Sequence, residues 1–176
     1  MNTDYNINAI EILLDEACLA ERYYPLIQYK GVLIQGLRQL HCKTKNDAAL
    51  LSDADYVGMG VEDDAVISLL RKFYSIYDPN PQKFREIEKL SLDPDEQLSY
   101  RELYCLPGVK QTRASLYYKA GYRTLDDFIN STPDEISEKT ARAISEHRLV
   151  CIVPLPKEVR THIAVAKAFL WDRVIL

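Results

Sequence analysis

Helix-start signals in two groups, 80 residues apart, restrict the fold of this chain more than any other feature of its sequence. In each signal a hydroxyl residue precedes a carboxylate by three positions. The hydroxyl can then accept a hydrogen bond from an uncovered amide while the acid reaches back to the chain. The pairs are Thr44 with Asp47, Ser52 with Asp55, Thr124 with Asp127, and Thr132 with Glu135. Their repetition predicts two related helical units in tandem.

Apolar residues at helical spacing indicate further helices in the first half of the chain. They predict an amphipathic helix over residues 7–24 that ends before Pro25, a second helix over 27–40 and a longer helix over 61–77. Residues 78–98 hold three of the eight prolines and many charged residues, which predicts a connector with at most one short helix. The chain is therefore expected to be all-α.

The C-terminal quarter of the chain is predicted to end in one more helix. It follows Pro154 and Pro156, and its apolar face comprises Val159, Ile163, Ala166 and Leu170. The apolar end, residues 171–176, is expected to dock onto a domain or a second subunit. The resulting organisation has four segments: residues 1–77, 78–99, 100–149 and 150–176.

Composition excludes several classes of protein. The sequence has a net charge of −4, which argues against a surface that binds polyanions everywhere. The charge is uneven, because residues 1–100 hold 10 Lys and Arg against 17 Asp and Glu, whereas residues 101–176 hold 12 against 9. No stretch is apolar and long enough for a membrane span, and the start of the sequence does not resemble a signal peptide. A cytoplasmic protein without a membrane contact is expected, and any nucleic acid should meet the C-terminal half.

The sequence offers little for catalysis, metals or cofactors. Its histidines are isolated, and its four cysteines are scattered without a CxxC pair, so ordinary reduced thiols are expected. Phosphate-loop, dinucleotide-binding and nucleophile-elbow motifs are absent from the sequence. The densest carboxylate group, over residues 53–64, does not have the spacing of a calcium loop. We therefore expect a protein that is not an enzyme and has no catalytic residue, metal or cofactor.

Residues 103–128 resemble a helix-hairpin-helix motif, in which a Pro-Gly turn joins two helices. The positions that match it are Leu106, Pro107, Gly108, Val109, Ala114 and Leu116. The resemblance implies that a nucleic-acid phosphate lies at the start of the second helix, where uncovered amides and the helix dipole favour an anion. Members of the family bind DNA or RNA backbones largely without regard to sequence. The residues implied are Gly108, Val109, Lys110, Thr112 and Arg113, with Lys110 in place of the usual second glycine.

A local basic set extends this candidate site along the chain. Lys119 and Arg123 join Lys110 and Arg113, and Tyr117, Tyr118 and Tyr122 lie between them in the sequence. Such rings can stack on unpaired bases, but packing inside the protein is the favoured interpretation for each tyrosine.

Two further resemblances concern the neighbouring segments. Residues 120–136 are similar to the second half of tandem helix-hairpin-helix domains and to the C-terminal domain of the bacterial RNA polymerase α subunit. A second hairpin would fall near residues 136–144, which have no glycine, so a structural pseudo-hairpin is expected there. Residues 50–72 resemble the latter part of a sterile-alpha-motif domain, a class that mostly binds proteins.

Two functions remain open from the sequence. The first is a nucleic-acid-binding accessory protein that grips phosphates through residues 108–113. The second is a protein-interaction or assembly module without nucleic-acid binding, in which residues 44–77 or the C-terminal helix would hold a protein partner or a second copy. The acidic first half favours the second function, and the positions of Lys110 and Arg113 favour the first.

Overall fold

The computed structural model describes residues 23–42, 45–76 and 81–173, and in these residues the chain is helical without a strand, which confirms the all-α prediction. The predicted helix over 7–24 falls almost wholly outside the described residues. The helix start at Thr44 and the side chains of residues 171–176 also lie outside them. None of the helices in the described part has both the length and the apolar character needed to cross a membrane.

The chain forms two compact units. Among the described residues, unit 1 comprises 23–42, 45–76 and 167–173, and unit 2 comprises 81–166. The helices up to residue 76 are α1 (Tyr24–Ile27), α2 (Lys30–Gln39), α3 (Lys45–Ala49), α4 (Asp53–Gly58) and α5 (Asp64–Ile76). Those that follow are α6 (Pro81–Glu88), α7 (Pro94–Leu103), α8 (Gln111–Lys119), α9 (Leu125–Ile129), α10 (Pro133–His147) and α11 (Pro156–Arg173).

The core of unit 1 forms around α5, which packs against α1, α3 and α4. Its apolar stripe supplies the buried side chains of Leu70 and Phe73, and Tyr56 of α4 is also fully buried. Arg71 on the same helix donates to the carbonyls of Ala49 and Leu51, at 3.1 and 2.9 Å. These bonds hold the turn between α3 and α4, because its carbonyls have no partners within a helix.

Apart from the one at Thr44, which lies outside the described residues, the predicted capping boxes are confirmed. The hydroxyls of Ser52, Thr124 and Thr132 each accept from the amide three residues on, and the acid at that position accepts from the first amide in return. Pro133 occupies the first turn of α10, where its missing N–H group is not needed. Pro25 lies in the first turn of α1, where its missing N–H group is not needed.

Several helices end in a Schellman turn, in which one residue adopts the left-handed conformation. Gly60 and Gly121 occupy this position after α4 and α8, with φ of 97° and 91°. His41 and Arg148 occupy it after α2 and α10, with φ of 55° and 50°. The turn at His41 is complete, because the Cys42 amide donates to the Leu37 carbonyl at 2.9 Å. A residue with a Cβ pays a conformational penalty there that glycine does not.

Unit 2 is built around α8, which packs against α7 and α10, while α6 packs against α7. Its centre is aromatic: the rings of Tyr117 and Phe128 meet edge to face with 4.9 Å between centroids, and Tyr122 lies 5.1 Å from Phe128. These side chains are buried. The core thus forms beneath the Pro-Gly turn that precedes α8.

Two predictions for this half of the chain are wrong. The expected connector with at most one short helix contains α6 and the first half of α7. Asp93 and Glu96 form a capping box, and Pro94 is in the first turn of α7, so proline and acid here start a helix instead of interrupting one. The expected pseudo-hairpin at 136–144 does not exist, because α10 runs through it without a break from Pro133 to His147. The chain turns only at Arg148.

Candidate functional site

The turn between α7 and α8 is a tight hairpin. The Leu106 amide donates to the Leu103 carbonyl at 3.0 Å, and the Val109 amide donates to the Leu106 carbonyl at 3.3 Å. Gly108 is exposed with φ of 71°, a conformation that costs about 1 kcal/mol for a residue with a Cβ. Leu106 and Val109 are fully buried and anchor the hairpin in the core.

The start of α8 is not capped by a side chain. Lys110 is the N-cap residue and is extended, with φ of −128° and ψ of −173°. Within the described residues, the amides of Lys110, Gln111, Thr112 and Arg113 have no hydrogen-bond acceptor. This differs from α4, α7, α9 and α10, which all begin with a capping box. Adjacent donors at a helix start are a ready site for an anionic oxygen.

The side chains around these amides divide into exposed and engaged groups. Gly108, Lys110 and Thr112 are exposed, as contact with a ligand requires. The Val109 side chain is buried, and its amide is already used in the turn. Gly108, Lys110 and Thr112 of the predicted site are therefore together on the surface, and Val109 holds the turn from below.

Arg113 has structural partners. Its Nε and one terminal nitrogen lie 2.9 and 3.2 Å from the two carboxylate oxygens of Glu158, and the other terminal nitrogen donates to the Ile152 carbonyl at 2.8 Å. The side chain is only 18% exposed. The structure thus uses the guanidinium to hold the loop before α11 and the first turn of that helix, and its predicted contact with phosphate stays a prediction.

His162 of α11 holds the hairpin from the other side. Its Nε2 donates to the Pro107 carbonyl at 2.9 Å, and in the neutral ring Nδ1 accepts from the Tyr117 hydroxyl at 2.9 Å. A carbonyl can only accept, so the first contact fixes the tautomer. Burial lowers the pKa of His162 below its ordinary value. The imidazole therefore connects the residue before Gly108 to the aromatic core.

Lys119 and Arg123 lie at the far end of α8 from the hairpin. A helix of nine residues is about 13 Å long, so the structure does not gather these cations around the same anion site. Arg123 lies over the Tyr118 ring, with 4.8 Å from its guanidinium carbon to the centroid. Tyr117 and Tyr122 are buried, which confirms packing as their role.

Sequence reasoning missed one cation near the hairpin. Lys83 of α6 is half-buried, and its Nζ donates to the Tyr104 carbonyl at 3.1 Å. Burial lowers the pKa of Lys83, although the neighbouring Cys105 and Glu86 act in the opposite direction. The missed signal was the helical spacing within residues 81–88, which the prolines on either side obscured.

A cleft of about 340 Å³ borders the start of α8. One wall comprises Gln111, Thr112 and Ser115, and the other comprises residues 149–151. The first wall belongs to the first two turns of α8 and is polar, whereas the second comprises Leu149, Val150 and Cys151.

The acidic group over residues 53–64 has ordinary helix-start roles. Asp53 forms an ion pair with Arg71 at 2.5 Å, Asp55 belongs to the capping box of α4, and Asp63 accepts from the Ala65 amide at 2.8 Å. In the part of the chain that the structure describes, no three His, Cys, Asp or Glu side chains are grouped as a metal site requires.

Comparison with known proteins gives two partial similarities. A family model described as a domain of unknown function, DUF4332, matches residues 99–169, which contain the hairpin and its supports. A segment of 67 residues is 34% identical to part of the ATP-dependent DNA helicase Hel308 of Thermoplasma acidophilum. That match covers 38% of this chain and 10% of the helicase. No solved structure matches the chain. The helix-hairpin-helix and sterile-alpha-motif resemblances are not confirmed and stay predictions.

Proposed function

We propose that this chain is a nucleic-acid-binding accessory protein, not an enzyme, that contacts backbone phosphates at the start of α8. The observation that carries the proposal is the row of uncovered amides over residues 110–113, next to the exposed Gly108 turn. A phosphate oxygen accepts from such amides and is attracted by the positive end of the helix dipole. The binding would be independent of base sequence, because the contacts go to the backbone.

Charge supports this location. Lys110 is exposed beside the amides, and Lys83 reaches the same hairpin from α6. Residues 101–176 carry the excess of cations in the sequence, whereas residues 1–100 are acidic. A phosphate chain approaching unit 2 would therefore meet a positive surface around the hairpin. The likeness of one segment to part of a DNA helicase also supports nucleic acid as the ligand class.

In this proposal Arg113 and His162 are positioning residues. They hold the hairpin and the loop before α11 in place through Glu158, Ile152 and Pro107. A fixed hairpin presents its amides without an ordering cost on binding. In this proposal Lys110, Thr112 and the amides between them contact the phosphate directly. Lys119 and Arg123 contact a phosphate further along the same strand.

Fluorescence anisotropy with labelled single-stranded and duplex DNA and RNA, over a series of salt concentrations, tests the proposal. The informative variant is Thr112→Glu. A carboxylate in the first turn of α8 suits the helix dipole, so the protein should stay folded while the new charge repels phosphate. Lys110→Glu is the second variant, and Arg38→Glu in unit 1 is the control with the same change in net charge as Lys110→Glu.

We expect salt-dependent binding by the wild type and the control. Lys110→Glu should lower affinity at least tenfold and reduce the slope of log affinity against log salt by about one phosphate contact. Thr112→Glu should weaken binding with circular dichroism unchanged. A folded wild type that binds none of these nucleic acids at low salt would refute the proposal, and a protein-interaction module would then be the better explanation.

A further inference from the structure

Residues 149–155, which we call the apolar loop, form an uninterrupted run without a charged or hydrogen-bonding side chain apart from one thiol. Most of it faces solvent: Val150 is fully exposed, Ile152 is 71% exposed and Leu155 is 63% exposed. Consecutive exposed apolar residues have no stabilising role in a folded domain and usually mark a contact surface.

Specific contacts fix the backbone conformation of the apolar loop. The Leu149 amide closes the turn after α10 on the Ile144 carbonyl at 3.0 Å, and Arg113 binds the Ile152 carbonyl. Pro154 is buried and anchors the end of the loop. The backbone is therefore fastened at three points while the side chains of Val150, Ile152 and Leu155 point away from the core.

Its position relative to the phosphate site is fixed by the cleft described above. Leu149, Val150 and Cys151 form one wall, and Gln111, Thr112 and Ser115 at the start of α8 form the other. The proposed anion site and the first residues of the apolar loop thus border the same cleft of about 340 Å³. A ligand with an anionic group beside an apolar one would suit both walls.

The surrounding charges agree with a polyanion. Between residues 148 and 160 the cations are Arg148, Lys157 and Arg160, all exposed, and the acid is Glu158. Glu158 is neutralised by its ion pair with Arg113. The apolar loop is therefore bordered by positive charge that no acid of the same segment offsets.

We propose that the apolar loop contacts the faces of unpaired bases, so that the preferred ligand is single-stranded nucleic acid or a duplex with an unpaired end. This inference rests on the proposed function. In a paired duplex the faces of the bases are covered by their neighbours, whereas an unpaired nucleotide offers a flat apolar face close to a phosphate. Apolar contacts with base faces are tolerant of sequence, because every base has such a face.

The test compares a labelled oligothymidylate with a blunt duplex of the same length, by anisotropy at low salt. The variant is Val150→Ser with Ile152→Ser; both side chains are exposed, so the exchange should leave folding intact. Leu98→Ser is the matched control, because Leu98 is a 64% exposed aliphatic residue on α7 of the same unit. Sedimentation velocity over a range of concentrations accompanies both variants.

The wild type and the control should bind the single strand more tightly than the duplex. The loop variant should lose about tenfold in affinity for the single strand and change less than twofold on the duplex. An unchanged ratio in the variant, with binding retained, would overturn this inference and leave the phosphate site standing. Loss of self-association in the variant without an effect on the single strand would assign the loop to a second copy and also overturn it. No binding to either probe by the wild type would overturn both proposals.

Discussion

Replacing Arg113 by methionine should destabilise the protein by about 2 kcal/mol even though the residue lies next to the candidate phosphate site. The change keeps the aliphatic stem and removes the contacts at 2.9 and 3.2 Å to Glu158 and at 2.8 Å to the Ile152 carbonyl. A hydrogen bond to a charged group is worth about 1.5–3 kcal/mol when buried. The partial exposure of both side chains, 18% and 30%, screens the ion pair, so the combined loss should be about that of one buried bond.

Urea unfolding followed by helical circular dichroism measures this loss. With a slope of about 1–3 kcal/mol per molar for a small domain, 2 kcal/mol should lower the midpoint by roughly 1 M. Arg142→Met, on the exposed side of α10, is the matched control and should change stability by less than about 0.5 kcal/mol. The double variant Arg113→Met with Glu158→Gln should cost less than the two single losses together, because the partners share one interaction.

The result that would refute this reasoning is specific. If Arg113→Met unfolds at the wild-type midpoint and yet loses nucleic-acid affinity as strongly as Lys110→Glu, Arg113 acts as a phosphate ligand, as the sequence predicts. A lower midpoint with weaker binding that recovers when the protein is stabilised by osmolyte would agree with a positioning role.

Two further predictions follow from single residues. Burial lowers the pKa of His162, so the unfolded chain binds its proton first as pH falls; stability is full above the ordinary value of 6.5 and should decrease below it by up to about 1.4 kcal/mol per pH unit. Urea midpoints at a series of pH values should show this decrease in the wild type and a smaller one in His162→Gln, and equal slopes would contradict it. His41→Gly should raise the free energy of unfolding by about 1 kcal/mol, because glycine removes the penalty of the left-handed turn after α2. A lower urea midpoint in that variant would show that the His41 side chain contributes more than its backbone costs.

The sequence correctly predicted the features that depend on only a few neighbouring residues. The capping boxes at Ser52, Thr124 and Thr132 depend on residues three positions apart, and each is present in the structure. The Pro-Gly turn at Gly108 depends on one residue that can adopt positive φ, and it too is present. Such features need no information about distant parts of the chain.

The predictions were wrong where a residue type can either end a helix or begin one. Prolines end helices in most contexts, and three of them made residues 78–98 look like a connector. Pro81 and Pro94 instead stand at the start of α6 and α7, where proline is favourable. Residues 136–144 lack glycine because α10 continues through them without interruption, and they form no modified hairpin.

The sequence could not show which charged side chains are available to a ligand. Their partners within the protein come from distant parts of the chain. Arg113 and Lys110 look equivalent in the sequence, and only the fold brings Glu158, 45 residues away, into contact with one of them. His162 looks like an isolated histidine until the fold places it 2.9 Å from both Pro107 and Tyr117. Thus the same long-range contacts that remove Arg113 from the list of free cations also fix the hairpin and hold the apolar loop away from the core. The proposed phosphate site at α8 and the proposed base-contacting surface at residues 149–155 therefore share these supports. Arg113→Met should loosen both, whereas Lys110→Glu should affect only the first.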